Sequence, residues 1–356
     1  MKIKIEVSLV RFFIVLFWIL VIGIFLIIPN LTNLYLKKGR SLTIFTWALL
    51  LDPIYLKKFE QETGIKLYIS YFDSGPALLN KIAATKGYGY DILFPDDRSL
   101  QVLIQEGYLK KIDRNKILFW ENLVPNLLGT YADPTNDYSI PYYWGIYGIG
   151  YNESFFANKA IIPSWEMLFN NKYCTHTKIC MTDEPREAIL MAAQYLFGSI
   201  EALKSLNARL QVKHLLIEQK KNVEVYTSLR ADSLLQSKSC ALAAIMSPDV
   251  WRLAKDHPQI KMLVPQEGSF KVIDSVALPK TTHKDDLIYT FLNFLFTHSV
   301  MQHHVELFGF CSPLKTITVQ GQEQFCPVHD GSNIQFFKNI ISDEDINQMW
   351  IEILAA

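Results

Sequence analysis

The order of apolar runs in residues 42–107 restricts the fold of this 356-residue chain more than any other feature. Three short β-type runs alternate there with three helix-like segments, in the order 42–45, 54–62, 65–71, 77–84, 90–94 and 101–106. Strands that alternate with helices in this way form a parallel sheet covered by helices. The sequence therefore predicts an α/β fold.

Polar and aromatic residues follow two of these predicted strands. Trp47 comes after the first strand, and Asp96, Asp97 and Arg98 come after the third. In open α/β sheets, ligands bind beyond the carboxyl ends of the strands. We therefore expect these residues to lie beside a binding site.

Residues 137–152, DYSIPYYWGIYGIGYN, are apolar, aromatic and rich in glycine at once. Pro141 fits poorly in a central strand because it has no N–H to donate. Tyrosine and tryptophan rings have a polar atom as well as an apolar body, whereas a strand that only fills a core is usually rich in Val and Ile. Two interpretations are equally compatible with this run: a strand that crosses a cleft between two lobes, or an ordinary buried strand with glycine bulges.

Three carboxylates follow a short predicted strand at residues 179–182. They lie in the segment Asp183-Glu184-Pro185-Arg186-Glu187, which precedes a long predicted helix. Acidic residues favour helix N-termini because of the helix dipole, and this alone explains Asp183 and Glu184. Glu187 lies three residues beyond Glu184, so both side chains can face one side of the helix. Asp274 is a single acid in an apolar strand, where a buried carboxylate needs a partner or a cationic ligand.

Charge and motif content exclude several functional classes. Lys plus Arg and Asp plus Glu both total 35, which argues against a nucleic-acid-binding protein. The chain has no phosphate-binding loop, nucleophile elbow, zinc-protease motif or dinucleotide fingerprint. The histidines are scattered, and the pair His303/His304 is assigned to a solvated helix face. We therefore predict no enzymatic activity, no catalytic residue, no cofactor and no metal site.

Five cysteines leave the disulfide pairing open. The pairs Cys174/Cys180 and Cys311/Cys326 are close enough in sequence to form disulfides in an oxidising compartment. The alternative is five unpaired thiols.

The first forty residues have the composition of a membrane segment. Lys2, Lys4 and Arg11 precede an unbroken apolar run at residues 12–28, which as a helix would span about 26 Å. No small-residue cleavage site follows the run, and no cysteine for a lipid anchor lies nearby. We expect an uncleaved N-terminal transmembrane segment, with residues 1–40 forming a signal-anchor and linker. Positive charges flank both ends, so the orientation stays open.

Several motifs from residue 41 onwards carry a family resemblance: FTW at 45–47, FEQETGIK at 59–66, YDILFP at 90–95, EGYLKKID at 106–113, NDYSIPYYWGIYGIGYN at 136–152, TDEPRE at 182–187 and EGSFKVIDSVALP at 267–279. In these motifs the chain resembles the periplasmic substrate-binding proteins of bacterial polyamine ABC importers, the spermidine/putrescine-binding type. The resemblance implies a two-lobed periplasmic binding protein fold with chain crossings between the lobes. Lobe 1 would comprise residues 41–142 and 266–313, and lobe 2 residues 143–265 and 314–356.

The same resemblance implies a set of ligand-binding residues. Trp47 matches an aromatic residue of the cleft, Glu184 and Glu187 match two acids for one ammonium group, Ser228 matches a polar cleft residue, and Asp274 matches an acid near a central amine. Other positions depart from the family pattern, where Asp96 and Arg98 replace Ser and Tyr, Met246 and Val272 replace two tryptophans, and Ala48 and Leu50 replace Thr and Tyr. Asp96 is therefore a candidate acid for an amine, and Arg98 either repels a polyamine or binds the carboxylate of a zwitterion.

The resemblance implies a monomeric, periplasmic protein that is tethered to the inner membrane. It would clamp a putrescine- or spermidine-like cation between its lobes and deliver it to ABC permease subunits. The alternative is a sensor of the same fold that acts on a membrane signalling protein. Neighbouring genes for an ATPase and two permeases would favour the importer, whereas a membrane kinase or cyclase gene would favour the sensor.

Overall fold

The computed structural model describes residues 16–18, 40–156, 160–170, 178–322, 325–326 and 333–356. From residue 40 onwards, these residues form ten strands, β1 (Ser41–Trp47), β2 (Lys66–Phe72), β3 (Ile92–Leu93), β4 (Ser139–Asn152), β5 (Ile179–Met181), β6 (Val223–Tyr226), β7 (Leu242–Met246), β8 (Ile260–Leu263), β9 (Ser269–Ala277) and β10 (Ile334–Phe336). The same part of the chain forms eleven α-helices, α1 (Pro53–Thr63), α2 (Gly75–Thr85), α3 (Asp97–Gln105), α4 (Glu166–Phe169), α5 (Pro185–Phe197), α6 (Leu206–Lys220), α7 (Ala231–Gln236), α8 (Ser247–Asp256), α9 (Asp285–Leu295), α10 (His298–Phe308) and α11 (Asp343–Ala355).

The strands are hydrogen-bonded in the order β2-β1-β3-β9-β4-β7-β5-β6, with β8 beside β4 and β10 beside β9. Strand β1 is parallel to β2 and β3, and β5 is parallel to β6 and β7. Local signals set the ends of the helices between them. In α1, for example, Asp52 accepts a hydrogen bond from the Ile54 N–H, Pro53 begins the helix, and Gly64 ends it in a left-handed conformation. The predicted α/β fold is confirmed.

Strand β4 changes partner along its length. Its first half pairs with β9, from Ser139 opposite Ala277 to Ile146 opposite Lys271. Its second half pairs with β7, beginning with Tyr147 opposite Met246. We call β2, β1, β3, β9 and the start of β4 the first sheet half, and the end of β4 with β7, β8, β5 and β6 the second sheet half.

The two halves of β4 also contribute to different cores. Tyr142 packs in a cluster with apolar residues of β1 and α1, whereas Ile149 packs in another with residues of β5 and α5. A Cβ at Gly148 would lie 2.6 Å from the Leu263 carbonyl oxygen, so the close approach of β8 requires glycine there. Strand β4 thus passes from the first sheet half into the second.

Histidine 304 is buried and not on a solvated face, contrary to the sequence expectation. It lies four residues after Val300 and four before Phe308, so it shares the apolar face of α10 with them. Its Nε2 accepts a hydrogen bond from the Asp52 N–H at 3.2 Å, and its Nδ1 lies 2.8 Å from the Tyr142 hydroxyl. Burial lowers the pKa of His304 to about 4, which keeps the ring neutral.

One of the two candidate disulfides is present. Cys311 and Cys326 are bonded, with sulfurs 2.07 Å apart. Cys180 is a buried free thiol, so its pairing with Cys174 is wrong; Cys240 is also free. Cys180 points into the core of the second sheet half, where its Sγ lies 3.7 Å from the Thr227 carbonyl oxygen. Cys174 itself lies outside the described residues.

The predicted membrane helix at residues 12–28 lies outside the described residues, apart from Leu16, Phe17 and Trp18, which are helical. Along the described stretches, none of the helices combines the length and apolarity that a membrane crossing requires.

Candidate functional site

Strands of the first sheet half bring three acids and one indole together. The backbones of Asp96 and Asp274 form an isolated antiparallel bridge, and Asp96 caps α3 by accepting a hydrogen bond from the Ser99 N–H at 2.6 Å. Asp274 is 8% exposed. Burial raises its pKa well above the usual value, Asp96 and Asp97 add to the rise, and the indole of Trp47 opposes it. Burial therefore favours the uncharged form of the Asp274 carboxyl, and a nearby cation would favour the charged form.

Asp97 is the second buried acid of this group. It begins α3 and is 8% exposed. Its pKa is raised well above the usual value, first by burial and then by the charge of Asp96, while Arg98 and the hydroxyl of Tyr131 oppose the rise. The position of Asp97 after β3 agrees with the sequence prediction of a strand-end site.

Glu187 is a partly buried acid of the second sheet half. It lies in the first turn of α5, and its Oε2 accepts a hydrogen bond from the Thr182 hydroxyl at 2.8 Å. Burial raises the pKa of Glu187 to about 7, and hydrogen bonds from Tyr147 and Thr182 oppose the rise. Near neutral pH, this carboxyl is poised between its two protonation states.

Glu184 lies at the other end of the same turn. It is the residue before α5 and makes no side-chain cap. The Glu184 side chain is exposed, yet partial desolvation raises its pKa. The positive charge of Arg98 opposes this rise, and the negative charges of Asp183 and Asp96 add to it. Arg98 and Asp96 follow β3 of the first sheet half, whereas Glu184 belongs to the second, so charges of the two halves interact with each other.

Ser228 and Met246 lie on the rim of the second sheet half. The Ser228 N–H and hydroxyl both donate to Asp183 Oδ1, and the hydroxyl lies 3.1 Å from that of Thr182. Met246 ends β7 opposite Tyr147, and it is partly buried. The structure therefore places Ser228 next to Asp183, and Met246 offers an apolar side chain at the end of β7.

Comparison with known proteins then identifies the family. Residues 55–322 match the family described as bacterial extracellular solute-binding protein. The chain belongs to this family. A solute-binding protein binds and hands over its ligand unchanged, so the prediction that the chain is not an enzyme is confirmed.

Curated relatives extend the similarity over most of the chain. This solute-binding protein is 30% identical over 290 residues to the putrescine-binding periplasmic protein SpuD of Pseudomonas aeruginosa, which covers 76% of this chain and 78% of the relative. It is 28% identical over 281 residues to the putrescine-binding periplasmic protein PotF of Escherichia coli, covering 75% and 76%. The resemblance to polyamine-binding proteins that the motifs predicted is confirmed.

A solved structure shows the same architecture. The substrate-binding protein PotD of a spermidine/putrescine ABC transporter from Streptococcus pneumoniae superposes with a TM-score of 0.77 at 24% identity. The match covers 89% of this chain and 99% of that one. The mixed α/β fold of a periplasmic binding protein is therefore confirmed.

Sequence reasoning missed one acid of this solute-binding protein. Asp249, in the first turn of α8, is partly buried, and desolvation raises its pKa to about 6 although Arg252 opposes the rise with a hydrogen bond at 2.6 Å. Its charge reaches Tyr143 and Tyr147 on β4, the strand that links the two halves. The signal was available, because Asp249 follows the carboxyl end of β7 just as Asp96 follows that of β3.

The acids of the candidate site do not form a metal centre in the part of the chain that the structure describes. Among the residues that the structure describes, no three His, Cys, Asp or Glu side chains lie close enough to hold a metal ion. A surface cavity of about 580 Å³ lies elsewhere, lined by residues that include Trp251, Lys255 and Met262 but none of the acids above. Carboxylates from both sheet halves, beside tyrosine and tryptophan rings, suit an elongated organic cation rather than a metal ion.

Proposed function

We propose that this solute-binding protein is the binding component of an ABC importer, and that it clamps a polyamine-like cation of the putrescine or spermidine type. The observation that carries the proposal is the set of buried carboxyl groups Asp97, Asp274 and Glu187, which come from both sheet halves. Each has a raised pKa, chiefly because removal from water disfavours the charged form. Ammonium groups would supply the missing charge.

The residue roles follow from the positions of these acids. Glu187 and Glu184 would bind one ammonium group, and Asp274 would bind a second nitrogen. The Trp47 ring would cover the aliphatic part of the ligand between these two nitrogens. Ser228 and Met246 would contact the ligand from the opposite side. The curated relatives support this assignment, since both are named for binding putrescine.

Arg98 alters the ligand preference that these roles would otherwise give. The positive charge of Arg98 partly compensates the negative charges of Glu184 and Asp97, and so lowers the pKa of each carboxyl. An internal cation at this point leaves fewer negative charges for the ligand to neutralise. We therefore favour a short diamine over a longer polyamine, with a basic amino acid as the competing ligand if Arg98 binds a carboxylate.

A thermal-shift screen of the full-length protein tests the proposal. Putrescine, spermidine, cadaverine, lysine and arginine should be compared with neutral and anionic solutes. At about 100 times Kd, a ligand adds about 2.7 kcal/mol to the free energy of unfolding, so the true ligand should raise Tm by several degrees. Stabilisation by anionic or neutral solutes alone would make the polyamine assignment wrong. If a basic amino acid stabilises most, Arg98→Ala should abolish that preference.

The lobe boundaries and the location are part of the same proposal. We assign residues 41–142 and 266–313 to lobe 1 and residues 143–265 and 314–356 to lobe 2, which the change of partner within β4 supports. The protein would act as a periplasmic monomer, tethered through residues 12–28 so that it stays close to its permease.

The tether predicts the N-terminus of the mature protein. N-terminal sequencing of protein from native membranes should find the chain beginning before residue 12, because no cleavage site follows the apolar run. A mature N-terminus between residues 30 and 41 would instead show a cleaved signal peptide.

A further inference from the structure

Asp97 is a buried acid that folding does not explain. Asp96, the residue before it, already caps α3. The Oδ2 atom of Asp97 is fully buried and has no hydrogen-bond partner among the described residues. An unpaired buried carboxyl destabilises a protein, so its presence calls for a partner. A bound ligand can supply the missing hydrogen bonds.

A second unpaired group lies beside it. The hydroxyl of Tyr131 is also buried without a hydrogen-bond partner among the described residues. Burial raises the pKa of Tyr131, and the nearby charge of Asp97 adds to the rise. Asp274 interacts electrostatically with Asp97 as well. Three side chains that can accept hydrogen bonds, from α3, β9 and the loop before β4, are thus near enough for Asp97 to interact electrostatically with both of the others.

The nearby cations of the protein do not pair with Asp97. Lys271 donates to the Asn126 carbonyl oxygen at 3.1 Å, and its Nζ lies 4.7 Å from the centre of the Phe336 ring. Arg186 forms an ion pair with Asp343. Within the described ranges, neither these cations nor Arg98 lies within 4.0 Å of the Asp97 carboxylate.

We propose that Asp97, Tyr131 and Asp274 form a subsite for one primary ammonium group of the ligand. The assignment rests on the function proposed above and adds the residue that selects the chemistry at one end of the ligand. A primary ammonium has three N–H donors, which match the three acceptor groups. A quaternary ammonium has no N–H donor, so it would leave all three acceptor groups buried and unpaired.

The variant Asp97→Asn tests the subsite, because it keeps the shape of the side chain and removes its charge. Calorimetry of the full-length protein with putrescine at pH 8 should show binding about 10- to 50-fold weaker than in the wild type. Tm without ligand should stay the same or rise, since an unpaired buried carboxyl is lost. A purely structural role would lower Tm and leave the affinity of the folded protein unchanged. The matched control is Asp285→Asn, which changes the first residue of α9 and should leave affinity unaltered.

Two further measurements keep the test decisive. Tyr131→Phe should weaken putrescine binding about threefold to tenfold. This variant still tests the subsite if Asp97→Asn does not fold. Putrescine with fully methylated nitrogens should bind the wild type at least 50-fold more weakly than putrescine. Wild-type affinity in both variants, together with lost binding in Glu187→Gln, would overturn the subsite and leave the polyamine function standing. Failure of the wild type to bind any amine would overturn both.

Discussion

Glu187→Gln should weaken the binding of putrescine about 100-fold at pH 8. Glutamine keeps the shape of the side chain and its hydrogen bond from the Thr182 hydroxyl, so the local structure should persist. It removes the negative charge, which leaves an ammonium group in a desolvated site with a neutral partner. Losing a charge-assisted hydrogen bond there costs about 3 kcal/mol, which corresponds to about two orders of magnitude in Kd. Isothermal titration calorimetry of the full-length protein measures this difference directly.

The matched control for this variant is Glu344→Gln. Glu344 also lies in the first turn of a helix, α11, but it is exposed. Removing its charge should affect only the interaction with the helix dipole and leave Kd unchanged. An unaltered affinity in Glu187→Gln, with an unchanged Tm, would show that the turn before α5 does not bind the ligand.

Much of the fold was predictable because local signals and tertiary packing agree. The predicted helix-like segment at residues 54–62 lies within α1, whose ends are set by Asp52, Pro53 and Gly64. The alternation of strands and helices predicted β1, β2 and β3 without knowledge of their partners. Residues 137–152 were ambiguous from sequence, because only the registers with β9 and β7 distinguish a crossing strand from a strand buried in one sheet.

The errors arose where a long-range contact decides the environment of a residue. His304 looks solvated next to His303, yet its partners Asp52 and Tyr142 come from distant segments of the chain. Such long-range contacts leave no periodic pattern that a sequence window detects.

The candidate site was predicted where a residue is unusual for its position. An acid within an apolar strand identifies Asp274, and acids after strands identify Asp96 and Asp97. Asp249 was missed because Ser-Pro-Asp is an ordinary helix start. Burial alone distinguishes Asp249 from a solvated capping acid, and burial depends on how the two sheet halves pack around β4.

The affinity for putrescine should fall about 100-fold from pH 8 to pH 5. Burial raises the pKa of Glu187 to about 7, and Glu184 and Asp183 add to the rise while Tyr147 and Thr182 oppose it. An ammonium group binds the ionised form of this carboxyl. Below pH 7, binding must therefore displace a proton, which costs about 1.4 kcal/mol, or tenfold in Kd, for each pH unit. The amines of putrescine remain protonated throughout this range, so the ligand contributes no opposing change.

The same ionisation makes the stability of the unliganded protein change in the opposite direction. Between pH 4.5 and 7, folded Glu187 binds a proton that the unfolded chain has released, so this group's contribution to stability falls as pH rises through that window. Putrescine should reverse the trend, because it stabilises the ionised folded form. Tm measured from pH 5 to pH 8 with and without putrescine would therefore diverge as pH rises. Glu187→Gln should show a flatter affinity profile, with residual curvature from Asp249, whose pKa is about 6. Equal slopes in the variant and the wild type would assign the titration to another group and remove Glu187 from the site.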